Sequence, residues 1–174
     1  MILSIEEIKQ MPKFADYTMT ELQREMDAIE QAIRSYTNNN FQDQRKRVEC
    51  ATKGGVLQGA SPYLKTGDTV EISKSNNAGL YVLAQVGDTM TVYSGALFDE
   101  PYNLVTKVEY PADVVAGALR LLDWKLTQSD KVGVQSESIS RHSVTYVNYD
   151  GTNSIMGYPQ SLFGFLKPYK KVRF

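Results

Sequence analysis

Residues 133–146, GVQSESISRHSVTY, gather Ser136, Ser138, Ser140 and Ser143 around His142, the chain's only histidine, with Glu137 close by. A serine hydroxyl activated by an imidazole, itself oriented by an acid, is the constellation of acyl transfer. Such a triad is assembled by geometry across a fold, and neighbours in one extended segment hold no such geometry. The chain also lacks a Gly-x-Ser-x-Gly turn that would expose a nucleophile. The residue types therefore predict a polar contact segment rather than a catalytic one. Val134, Ile139, Val144 and Tyr146 leave polar residues between them, as in a partly covered extended arm, and Gly133 permits a turn before it. Edge pairing with a neighbouring subunit would satisfy the backbone of such an arm. A loop and strand within the same domain would satisfy it equally well.

Metal and phosphate chemistry have weaker signals still. One cysteine and one histidine cannot fill a structural zinc shell, and no carboxylate loop resembles an EF-hand. KGGVLQGAS (53–61) has neither the Walker spacing nor Gly-x-Gly-x-x-Gly, so its glycines are expected to form a flexible link between strands. The expectation is a protein without enzymatic activity, cofactor or metal.

The tail LKPYKKVRF (166–174) joins four cations, Lys167, Lys170, Lys171 and Arg173, to Tyr169, Val172 and Phe174. Aromatic groups that fill pockets while cations pair with acidic rims make a docking anchor. Nucleic-acid contact and a frayed terminus are the other readings. The terminal phenylalanine favours docking.

The elements that must position these residues are bounded by composition. The chain has 174 residues, of which 42% are hydrophobic and 22% charged, an ordinary balance for one soluble domain. A chain of about 150 residues buries roughly 68–70% of its unfolded surface, so no staple is needed. Nineteen basic against twenty acidic residues give a net charge of −1. A protein that grips DNA through many phosphates carries a basic excess, and none is visible; if this chain meets DNA, the balance suits passage better than grip. Cys50 is the sole cysteine, which fits a reducing cytoplasm. The opening MILSIEEIKQMPKF lacks the basic and apolar regions of a signal peptide, and no stretch approaches the ~20 apolar residues of a membrane span. An intracellular, soluble protein without membrane association is expected.

Ser4 and Glu7 have capping-box spacing for a short helix over 3–11 that Pro12 ends. Met19, Leu22, Met26, Ile29, Ile33 and Tyr36 form one helical stripe in 16–40, with Thr18 and Glu21, or Thr20 and Gln23, at its start and Asn38–Asn40 at its end. From about residue 46 the period becomes alternating. Strands are expected at 45–52, 69–73, 79–85, 89–94 and 104–110, separated by turn clusters. Pro111 and Asp113 open a second long helix over 111–128. Val115, Leu119, Leu122 and Leu126 form its stripe, flanked by Val114, Ala118 and Leu121, and this face should pack on the stripe of 19–36. A short helix follows in 158–166.

The expected fold is α+β: an antiparallel helix bundle core with an inserted small β-meander or barrel-like lobe and an extended C-terminal arm. Residues 1–45 and 111–174 would supply the core, and 46–110 the lobe. This plan, with AIRSYTNNNF (32–41), YPADVVAGALRLLDWKL, GVQSESISRHSVTY and GYPQSLFGFLKPYKKVRF in order, resembles the head–tail connector (adaptor) proteins of tailed bacteriophages. The likeness covers most of the chain and is weakest over the lobe, since many connectors join their helices more directly.

The resemblance implies a structural homo-oligomeric ring, usually dodecameric, assembled in the bacterial host cytoplasm and placed at the virion's head–tail junction. The ring lies under the portal protein, extends the channel for double-stranded DNA without sequence-specific binding, and carries the stopper, head-completion or tail-completion protein. It also implies that Gly133, Val134, Ser136, Glu137, Ser138, Ile139, Arg141, His142 and Tyr146 make subunit and channel contacts. Lys167, Tyr169, Lys170, Lys171, Arg173 and Phe174 would dock on the portal. The alternative is a small binding or regulatory module built on the β lobe, without ring assembly.

Overall fold

The computed structural model describes residues 2–59, 61–128, 136–139, 142–145 and 154–172. The chain divides into two compact units: Asn40–Tyr110, and Ile2–Asn39 together with Pro111–Phe174.

In the first unit, six strands close into an antiparallel barrel. They are β1 (Gln42–Lys53), β2 (Val56–Gln58), β3 (Thr69–Ser73), β4 (Gly79–Val86), β5 (Met90–Val92) and β6 (Glu100–Val108). Their order around the wall is β1-β2-β5-β4-β3-β6, with β6 returning to β1. Closure removes the open edges of a free meander. Alternation explains the lining: Val70 and Ile72 of β3, Leu83 of β4 and Val105 of β6 point inward with Cys50, Leu57, Leu64, Met90 and Leu97. The long strand β1 shifts register twice against β6, and such bulges bend a strand around a barrel. The flexible link expected at 53–61 is instead a hairpin turn and strand β2. Gly54 and Gly55 both take positive φ, 59° and 76°, as the tight twisted turn between two strands requires.

The barrel's entry and exit lie together. The Glu109 N–H donates to the Phe41 carbonyl at 2.9 Å, and the Phe41 and Tyr110 rings are 4.8 Å apart.

The second unit holds α1 (Ile5–Lys9), α2 (Met19–Thr37) and α3 (Ala112–Gln128). Ser4 and Glu7 form the reciprocal capping box of α1, Thr18 caps α2 through the Glu21 N–H, and Asn38 ends α2 in the left-handed region at φ 49°. Leu22, Met26, Ile29 and Ile33 of the α2 stripe are buried, whereas Met19 is 48% exposed. On α3 the buried line is Val114, Ala118, Leu121 and Leu122, while Val115, Leu119 and Leu126 are half-buried. Helix α2 packs on α3.

Among the described residues the expected antiparallel helix bundle core is not present. The helices are few, α1 has 5 residues, and the remaining layer on α2 and α3 is a 3-10 helix, Gln160–Tyr169. The reason is legible in residues 154–169: Gly157, Pro159, Gly164 and Pro168 interrupt any long helical run. The pair β9 (Ser154–Ile155) and β10 (Tyr158–Pro159) leads into that 3-10 helix. Phe163 and Leu166 are buried, and the Phe163 ring meets Tyr36 edge-on at 5.0 Å. Nor do the described residues of the C-terminal segment form the expected extended arm. Strands β7 (Ser136–Ile139) and β8 (His142–Thr145) pair with each other, and the chain from Gln160 to Val172 lies against its own helices.

Candidate functional site

Within the serine-rich stretch, 136–139 and 142–145 pair as a two-stranded antiparallel ribbon in which Ser136 stands opposite Thr145, Glu137 opposite Val144, Ser138 opposite Ser143 and Ile139 opposite His142. Gly133, Val134, Ser140, Arg141 and Tyr146 lie outside the described residues.

The tail occupies a defined place on the helical unit. The Tyr169 hydroxyl donates to both carboxylate oxygens of Asp113, at 2.8 and 2.9 Å, in the first turn of α3. That hydrogen bond to a carboxylate, with a smaller contribution from desolvation, raises the Tyr169 pKa above its ordinary 10.0. The Lys170 ammonium sits 3.8 Å over the Tyr36 ring, a cation–π contact. The Lys171 N–H donates to the Thr37 carbonyl at 2.7 Å. Two asparagines after α2 complete the seam: Asn38 donates to the Val172 carbonyl at 3.3 Å and Asn39 to that of Tyr169 at 3.2 Å. The last turn of a helix leaves carbonyls such as Thr37's without an intrahelical partner, and here the incoming tail supplies one. Lys167 and Lys171 remain exposed, as does Val172 at 73%. Arg173 and Phe174 lie outside the described residues.

Sequence patterning pointed to the tail's cations and aromatics but missed the groups that receive them. Asn38–Asn40 read only as a helix end, and Asp113 only as a helix-dipole residue. Adjacent asparagines after a helix were the available signal, since their side chains reach backbone groups that the helix no longer serves.

A second ordered surface, also missed, lies on the barrel. Thr52, Asn77 and Asn103 are buried and bonded to one another: Asn103 donates to Thr52 Oγ1 at 2.8 Å, and Asn77 donates to Asn103 Oδ1 at 3.0 Å. Asn77 also clamps the backbone of Phe98, accepting from its N–H at 2.7 Å and donating to its carbonyl at 2.9 Å. The Phe98 ring is left 66% exposed. Buried amides satisfied this way fix a loop, because an unpaired one costs about 1–3 kcal/mol.

Cys50 is buried, and desolvation raises its thiol pKa, which suits packing rather than reaction. Among the described residues no group of three or more His, Cys, Asp or Glu is arranged to hold a metal ion, and no helix is long and apolar enough to cross a membrane. No protein-family model matches the chain, and comparison with curated proteins returned no similar sequence.

Proposed function

We propose that the chain is a structural head–tail connector (adaptor) of a tailed phage or prophage. Its copies form a ring under the portal protein, extend the DNA channel and offer a platform to the stopper or tail-completion protein. The reading rests on the ordered resemblance of its segments to that family. One observation adds to it: three of the four resembling segments are hydrogen-bonded to one another. Thr37, Asn38 and Asn39 of the YTNNN stretch bond Tyr169, Lys171 and Val172, and Asp113 of YPADVV bonds Tyr169. These residues hold the tail in a fixed position.

In this reading Tyr169 and Lys170 set the tail in place, and the exposed Lys167, Lys171 and Val172, continued by Arg173 and Phe174, meet the portal. The residues of 133–146 make subunit and channel contacts, and no bond is made or broken. The test is capture by portal-bearing heads. Lys167→Glu combined with Lys171→Glu should abolish capture while circular dichroism stays unchanged, because neither side chain carries a buried contact. Undiminished capture would refute portal docking through this surface.

The alternative, a binding or regulatory module without a ring, is favoured by the clamped, exposed Phe98. It predicts a protein that remains a monomer or dimer in the presence of portal and loses a ligand on Phe98→Ala.

A further inference from the structure

The β9–β10 hairpin turns on a residue that suits its backbone poorly. Ile155 pairs with Tyr158, so Met156 and Gly157 alone make the turn. Both take positive φ, 52° and 82°. A two-residue turn of that hand is the type I′ turn, whose first position favours Asn, Asp or Gly. A Cβ in the left-handed region crowds the following carbonyl oxygen, and methionine has no short polar side chain to bond the local backbone in compensation. The side chain gains little shelter in return, since Met156 is 52% exposed. An exposed apolar residue by itself calls for no explanation. One that also strains its backbone does, because asparagine at the same place would relieve the strain and suit the water.

The turn also has a defined place. Tyr158, directly after it, packs on Trp124 toward the C-terminal end of α3, Phe165 lies over Gly117 further back, and Tyr169 bonds Asp113 in the first turn. The 3-10 helix therefore runs antiparallel to α3. It roots the turn and the seated tail at opposite ends of that helix, at levels about 16 Å apart for a rise of 1.5 Å per residue.

We infer that Met156 is a docking knob for a second partner protein, at the end of the helical unit opposite the portal-docking tail. This inference rests on the connector reading, which puts the portal at the tail and so gives the knob to the tail-side partner, the stopper or tail-completion protein. The partner must offer an apolar pocket at that place. A methionine side chain is unbranched, uncharged and flexible, and it fills such a pocket by bending to its shape. The tight turn fixes the backbone that carries it before the partner arrives, so less ordering is left for the complex to impose.

The test separates tail joining from portal capture. Full-length wild type, Met156→Asn and Met156→Leu are each bound to portal-bearing heads, then mixed with the stopper protein and tails of the same phage. Head–tail joining is counted by electron microscopy. Met156→Asn should raise the thermal midpoint by about 2–4 °C, because it removes the strain of the turn. It should leave capture by heads unchanged and lower joining at least about tenfold, as loss of an anchor residue does. Met156→Leu keeps an apolar knob of similar volume and should join as the wild type does. Met156→Asn heads that join tails as well as the wild type overturn the knob and leave the connector standing. An unraised midpoint in Met156→Asn overturns it too, since the turn is then not strained. Failure of heads to capture the unmodified protein overturns the connector reading itself.

Discussion

Gly117 shows how one residue decides whether the tail can seat. It lies on the buried side of α3, and a Cβ built there would stand 2.2–2.4 Å from carbons of the Phe165 ring. In an unobstructed helix interior Gly→Ala gains about 1 kcal/mol, so the sign of the effect is diagnostic. Gly117→Ala should destabilise the protein by about 1–3 kcal/mol in denaturant unfolding, as overpacking does. Adding Phe165→Leu should recover part of the loss. A neutral or stabilising Gly117→Ala would contradict the seating of the 3-10 helix on α3. Tyr158, packed 5.4 Å from Trp124 and 6.0 Å from Phe163, makes a second test. Burial, reinforced by Glu25, pushes its pKa from 10.0 up to about 12. The neutral phenol is the form the fold favours. Its contribution is therefore complete below pH 10 and is lost as pH rises to about 12. Stability of the wild type should fall more steeply across that window than stability of Tyr158→Phe. Equal slopes would mean that Tyr158 is not held neutral by its surroundings.

Elements differ in how plainly the residues announce them. Helix α2 and strands β3 and β4 follow from single strong signals, a 3.6-residue stripe and clean alternation between turn clusters. Strand β2 was hidden because only three residues pair, and the Gly54–Gly55 turn reads equally as a flexible link until its register is known. The α3 stripe was displaced by about one position, since a helix with apolar residues over a wide arc does not say which line faces its partner. The bundle expectation failed for a related reason: two long helices imply a bundle only if further helices cover them, and Gly and Pro in 154–169 select a 3-10 helix instead. The seam between Asn38, Asn39 and the tail was only half legible: the asparagines signal a reach to backbone groups, but the carbonyls they meet lie about 130 positions away and leave no pattern in side-chain type. The barrel closes fully within 40–110 and its ends meet at Phe41 and Glu109. The excised segment 40–110 should therefore fold alone, with a cooperative thermal transition and dispersed amide resonances. A disordered spectrum would show that the barrel depends on the rest of the chain.

At the scale of the whole molecule the account turns on assembly. The seated tail and the clamped Phe98 loop are held in place by hydrogen bonds while Lys167, Lys171, Val172 and Phe98 stay exposed. The ring is a proposal drawn from sequence resemblance, and the contacts describe how one protomer holds its tail in position. The most direct measurement is electron microscopy of the full-length protein bound to purified portal-bearing heads. The account predicts a ring of copies of this chain, coaxial with the portal and open along its axis. Portals that carry no added density, or protein bound as a lone copy off the axis, would contradict it.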